Sequence, residues 1–373
     1  MLKPALSFSG RILRHAKAVA GAAVAAAALA VPAAANAQQT GNAARYYEDA
    51  LARYERNDTA GAIIQLKNAL RTDPRLLAAH VLLGRAQLAN GDPAAAEDAF
   101  ARALELGVDR SELALPMARA LYAQGKLEAL LERFPAEAAP AARRPELLVL
   151  RGHAYRVLGG RVAAAKREYE AAAAADPRHF PALIALAELA IQQGNRAEAA
   201  RLADEAVALA PRDPRPWHFK GTLALASGDA PAALAALGQA VSIDASYVDA
   251  RIARASILID LGRLDEAAPD VAYLSAHSPE EPRALYLRAV LLSKRGDDAG
   301  AREALQAVAR RIDPVPREVL KERAPDLLLL GGLASHGLNA PEKARQYLED
   351  YLALRPRELG ARRLLASIYM SQG

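Results

Sequence analysis

Between Leu77 and Val108, apolar residues return every three or four positions, stop at Gly91-Asp92-Pro93, and then resume. That spacing puts apolar residues on one face of a helix, so the stretch predicts two short amphipathic helices joined by a tight turn. Its large apolar positions are Leu83, Leu88, Phe100 and Leu104, and its small ones are Gly84, Ala96 and Ala103. Small residues let two antiparallel helices approach closely, and the large ones fill the seam. The pattern recurs along the chain, with starts near Ala43, Leu77, Ser111, Pro145, Phe180, Pro214, Val248, Pro282, Pro325 and Leu359. Seven of these nine intervals are 34 residues long, one is 35 and one is 43.

Each unit carries the same parts. A small residue stands eight positions in, as at Ala50, Gly84, Ala118, Gly152, Gly221 and Gly332, and a second is expected to face it at the twentieth, as at Ala96, Ala233 and Ala344. Turn glycines such as Gly91, Gly125 and Gly228 suit the left-handed conformation that ends a helix. Asp92 and Asp229 are placed to cap the helix that follows. Pro74, Pro177, Pro211, Pro279 and Pro356 stop the second helix, because proline cannot donate the helical hydrogen bond. This unit resembles the tetratricopeptide repeat, a helix–turn–helix of 34 residues. The resemblance implies an all-α fold, a right-handed α-solenoid of about nine and a half units over residues 43–373.

Three places depart from the register. Leu127–Phe134 is a second helix cut short by Pro135, Pro140 and Pro145, so residues 135–145 are expected to form an ordered loop or bend. Gly159-Gly160 adds one residue to the fourth unit. Residues 313–324, with Pro314 and Pro316, add nine more, read as a loop with one helical turn. The tenth unit has only its first helix, Leu359–Gln372. Its apolar residues point to a longer array or to an end covered by another chain.

Composition changes the picture mainly at the N-terminus. Lys3, Arg11, Arg14 and Lys17 precede an uncharged Ala/Val/Leu run, then Pro32 and Ala35-Asn36-Ala37. These are the parts of a secretory signal peptide over residues 1–37, followed by a short polar linker at 38–42. An uncleaved anchor is the alternative. Cleavage predicts a periplasmic protein of a Gram-negative bacterium, or a secreted one, with no stable membrane anchor. The formal net charge is +5, but the first 37 residues hold four of the 48 basic residues and no acid, leaving 44 basic against 43 acidic. The remainder is therefore near neutral, and a general attraction to nucleic acid is not expected. With no cysteine in the chain, disulfides, thiolate metal sites and lipid attachment through cysteine are excluded.

Candidate chemistry is sparse. The seven histidines are far apart, and the chain contains no phosphate-binding loop, dinucleotide fingerprint or nucleophile elbow. No catalytic residue, metal or cofactor is expected, and the chain does not read as an enzyme. What remains is the groove lined by the first helices of successive units. In tetratricopeptide arrays positions 2, 5, 9 and 12 of that helix generally face it. On that register Arg85, Arg119, Tyr122, His153 and Arg156 share one wall and are candidates for binding a protein or peptide. Guanidinium groups meet carboxylates in pairs of hydrogen bonds, so an acidic segment is the partner they would select. The same arginines also suit a plain solvated face. The Lys and Asn pairing of the family's carboxylate clamp is missing from every unit.

The first units carry a narrower resemblance. Tyr46-Tyr47-Glu48-Asp49-Ala50, Ala62 through Leu70, Leu82-Leu83-Gly84, Gly91 through Glu97 and Leu104 through Val108 are similar to the large repeat proteins of the exosortase/PEP-CTERM sorting system. The similarity covers Tyr46–Phe134 and implies an envelope scaffold tied to exopolysaccharide production and surface-protein export. A general periplasmic binding module for outer-membrane assembly or cell-wall enzymes is the alternative. An enzyme whose catalytic part lies beyond Gly373 is a third reading.

Overall fold

The computed structural model describes residues 30–372, with the side chains of 30–40, 323 and 372 excepted. Most of the expected signal peptide, residues 1–29, and the turn glycine Gly373 lie outside the described residues. Among the described residues there are twenty α-helices, one short 3₁₀ turn and no strand. None of these helices is long and apolar enough to cross a membrane. The chain forms two compact units that meet at Arg143 and Arg144.

In the first unit, α1 (Ala30–Glu55) pairs with α2 (Thr59–Thr72), and α3 (Leu77–Ala89) pairs with α4 (Pro93–Glu105). Residues 38–42, expected as a linker, continue α1: no proline interrupts the stretch from Ala33 to Ala43, and the helix runs through Gly41-Asn42. The α1–α2 turn is made by Asn57 at φ 62°, and Asp58 caps α2 by accepting from Gly61 N at 2.9 Å. Asp92 caps α4 in the same way, accepting from Ala95 N at 3.1 Å. The third pair is unequal: α5 (Arg110–Ala123) is full length, while α6 (Leu127–Arg133) has seven residues. A 3₁₀ turn at Ala136–Ala138 and a loop then run to Arg143. Glu97 on α4 ties this pair down, accepting from Gln124 and Lys126 at 2.9 Å and from Arg133 at 3.1 Å.

The second unit contains α7 (Arg144–Val157), α8 (Val162–Ala175), α9 (Phe180–Gln192), α10 (Arg196–Leu209), α11 (Pro214–Ala226), α12 (Ala230–Ile243), α13 (Val248–Asp260) and α14 (Leu264–His277). It continues through α15 (Pro282–Lys294), α16 (Asp298–Ile312), α17 (Arg317–Arg323), α18 (Pro325–Gly337), α19 (Pro341–Leu354) and α20 (Leu359–Gln372). Apart from α17 and the final α20, these are successive hairpins of the counted register.

The close approach within a hairpin has a specific cause. A Cβ built on Gly84 would lie 2.5 Å from the ring of Phe100, and one on Gly221 would lie 2.7 Å from Leu237 and 3.2 Å from the Ala233 carbonyl. Phe100 and Leu237 are the twenty-fourth residues of their units, and both are fully buried. The sequence pattern pointed to the small twentieth residue as the partner of the eighth. In the structure the large twenty-fourth residue takes the space that the missing Cβ leaves, and the twentieth brings its backbone alongside.

Polar locks reinforce two of the hairpins. Asp270 on α14 is wholly buried and accepts from Arg251 at 2.6 Å and Arg254 at 2.7 Å. Arg251 also donates to the Ala245 carbonyl at 2.7 Å, with its guanidinium 3.9 Å from the centre of the Tyr273 ring. A buried carboxylate is tolerable only when paired and hydrogen-bonded in this way. Between α7 and α8, Arg151 grips both oxygens of Glu168 at 2.9–3.2 Å.

The insertion near residue 313 is more ordered than a loop with a single turn. Leu320 of α17 is buried, while Arg317 and Lys321 reach Asp350 of α19 at 3.1 and 2.8 Å. At the end of the chain, α20 buries Ala361 and Ile368 and exposes Leu359, Tyr369 and Met370.

Candidate functional site

The repeat register determines which side chains meet in the first unit. Position nine of two consecutive units gives Arg85 on α3 and Arg119 on α5, one repeat apart, and both are exposed. They line a cavity of about 420 Å³. Leu88 and Ala89 of α3 and Ser111, Leu115 and Pro116 of α5 complete its floor, and Tyr54 of α1 stands at one side. Pro140 and Arg143, from the loop that replaces the rest of the third hairpin, supply another wall. Pro116 lies inside α5 and lacks the N–H that would have met the Glu112 carbonyl, which leaves backbone polarity at the lining.

Arg85, Arg119 and Arg143 line this space together with one carboxylate residue, Glu112. Arg85 makes no ion pair with any described residue, whereas Arg53, Arg102 and Arg133 of the same unit each lie within 3.1 Å of a carboxylate oxygen. Leu88, Leu115, Pro116 and Pro140 add an apolar portion to a lining that is about half polar. The arrangement can hold an anionic group against guanidinium donors while covering a small apolar group beside it.

The other predicted wall residues are placed differently. Tyr122 is half-buried on α5 and is not among the residues lining the cavity. His153 and Arg156 belong to the second unit. The Nδ1 of His153 is 2.8 Å from the Tyr169 hydroxyl, with the two rings edge to face at 5.4 Å. Burial, helped by the charge of Arg156, pushes the His153 imidazole down to about 4, so it is neutral at ordinary pH. Arg156 is tied at 2.8 Å to Glu188, the position-nine residue of the next hairpin. The five residues are thus divided between the two units, Arg85, Arg119 and Tyr122 in the first and His153 and Arg156 in the second. Only Arg85 and Arg119 meet in the cavity.

Tyr54, Pro140 and Arg143 went unrecognised as site residues. Tyr54 occupies position 12 of the first unit and could have been found by the same count. Pro140 and Arg143 lie in the segment that breaks the register, where counting gives no position. Farther along, Leu225 of α11 and Ile191 of α9 are exposed, and His218 packs edge-on to Tyr247 at 5.4 Å. Among the described residues no group of three or more histidines and carboxylates is arranged to hold a metal ion.

Two family models, both described as tetratricopeptide repeat, match the chain. One matches residues 158–223 and 224–269, and the other matches 47–111, 81–145 and 271–315. Cellulose synthase operon protein C of Xanthomonas axonopodis pv. citri (strain 306) is 32% identical over 181 residues. That alignment takes in 47% of this chain but only 12% of the relative's length. Among solved structures, a tetratricopeptide repeat protein from Parabacteroides merdae ATCC 43184 is 17% identical with a TM-score of 0.45. It covers 79% of this chain and 98% of its own. PilW, a type IV pilus biogenesis factor, is 19% identical with a TM-score of 0.43, covering 59% of this chain and 98% of its own.

Proposed function

The chain belongs to the tetratricopeptide repeat family, and from that premise we propose that it serves exopolysaccharide export as a periplasmic scaffold, holding a protein partner in the cavity of its first unit. Scaffolding of protein–protein interactions is what the family's stacked hairpins do. The exopolysaccharide assignment is carried by the similarity to cellulose synthase operon protein C. The periplasmic location is supported by the signal-like pattern of residues 1–37. A link to PEP-CTERM surface-protein sorting rests on the resemblance over Tyr46–Phe134.

Deleting the gene is expected to reduce secreted exopolysaccharide at least severalfold, with the tagged protein recovered in the periplasmic fraction. Undiminished polysaccharide would remove the export role, and a cytoplasmic protein would remove the location. Loss of surface-anchored proteins in the same strain would extend the role to sorting.

A further inference from the structure

We propose that α17 is a strap clamped by charge, which undocks from α19 as ionic strength rises while the hairpins on either side of it stay folded. This device lies in the second unit and is independent of the cavity in the first.

The helix is too short to hold itself. It has seven residues, whereas an isolated helix below roughly 12–15 residues is marginal in water, so its order depends on what it packs against. The stripe it turns inward is Arg317, Leu320 and Lys321, continued by Ala324, which is the spacing of one helical face. These positions are buried or half-buried, whereas Glu318, Val319 and Glu322 are exposed. Leu320 is the one large apolar side chain of the stripe, and it joins the buried cluster that holds Leu328, Tyr347, Leu348 and Tyr351. A regular second helix does more: α12 buries Ala233, Ala236, Leu237, Ala240 and Val241.

The rest of the attachment is electrostatic. Arg317 and Lys321, one turn apart, both reach Asp350 of α19, at 3.1 and 2.8 Å. The Asp350 Oδ2 beside Arg317 is buried and accepts no hydrogen bond among the described residues, so charge alone holds it there. An unmet buried acceptor is costly, and water meets it once the site opens, which works against the clamp. The side chains of Arg317 and Lys321 are 42% and 34% exposed, so salt reaches them. The screening length falls from about 8 Å at physiological ionic strength to about 3 Å in molar salt.

Prolines confine the movement. Pro314 and Pro316 precede α17 and Pro325 begins α18, removing hydrogen bonds that would fuse α17 to α16 or α18. Ahead of these joints Asp313 accepts from the Tyr347 hydroxyl at 2.9 Å. That bond fixes the entry to α19 while the strap beyond it swings, admitting water to the cluster under Leu320.

Amide hydrogen exchange on the purified full chain at neutral pH tests this, in sodium chloride at about 50 mM and about 1 M. Residues 317–324 should exchange at least fivefold faster in the higher salt, while α16, α18 and α19 change less than twofold. The Arg317→Gln plus Lys321→Gln variant, altered on α17 alone, should reach the parent's high-salt rate already in low salt and gain nothing further. Exchange at 317–324 that is indifferent to salt overturns the proposal, as does parental protection in the variant. Acceleration of α18 and α19 in step with α17 also overturns it, because α17 would then open only with the whole cooperative unit. So does exchange at the unstructured rate in low salt, since the strap would then never be docked.

Discussion

Gly84→Leu is expected to lower the thermal midpoint more than any surface substitution in the first unit. Phe100 already occupies the space into which a Cβ at residue 84 would project, and it is fully buried with no exposed side to move toward. Overpacking a helix seam costs roughly 1–3 kcal/mol, and three further carbons beyond an already forbidden Cβ put this change at the upper end or above. Far-ultraviolet circular dichroism during heating is the measurement. Gly84→Leu combined with Phe100→Ala should recover part of the loss, because the ring is the obstacle. An unchanged midpoint in Gly84→Leu would contradict the pairing of α3 with α4.

The second large effect concerns pH. In the folded chain His153 is lowered from the ordinary histidine value of 6.5 to about 4, by burial first and by the Arg156 charge second. The unfolded chain therefore takes up a proton below about pH 6.5 that the folded chain refuses until about pH 4. Stability contributed by neutral His153 is fully present above 6.5 and is lost as pH falls toward 4. At about 1.36 kcal/mol per pH unit, the loss is on the order of 3 kcal/mol. His179 and His218 are lowered too, chiefly by burial, and act in the same direction. Thermal midpoints at pH 7, 5.5 and 4.5 should fall in that order, and His153→Gln should flatten the decline while weakening the protein at pH 7. A midpoint constant from pH 7 to 4.5 would contradict the buried neutral imidazole.

Local periodicity carried the helices. Leu77–Ala89, Phe180–Gln192 and Leu359–Gln372 follow from apolar spacing and from glycines or prolines at their borders, and each is a helix in the structure. Gly84 was recognisable as a close-approach position because nothing else in its face is small at that point. Its true partner was not, since choosing between Ala96 and Phe100 depends on how far the two helices slide along each other.

Side-chain direction was the other obstacle. Arg85 and His153 hold the same repeat position, yet one is exposed in a cavity and the other bonds Tyr169. The extra residue at Gly159-Gly160 shifts the register, so that Tyr169 lies one position later than Phe100 and its hydroxyl meets the imidazole. Asp270 gave no signal either: a carboxylate on a helix reads as solvated until Arg251 and Arg254 are seen to converge on it. Pro140 and Arg143 reach the site through a segment whose prolines announce a bend but not its direction.

Under the proposed function, the arginine cavity, and not merely an intact stack of hairpins, is the part of this chain that export requires. The most direct measurement is secreted exopolysaccharide in the deletion strain complemented with the Arg85→Glu plus Arg119→Glu variant. That variant must first match the parent in helicity, thermal midpoint and periplasmic abundance. Polysaccharide remaining at the deletion level is the predicted result, and restoration to the parental level would contradict the claim.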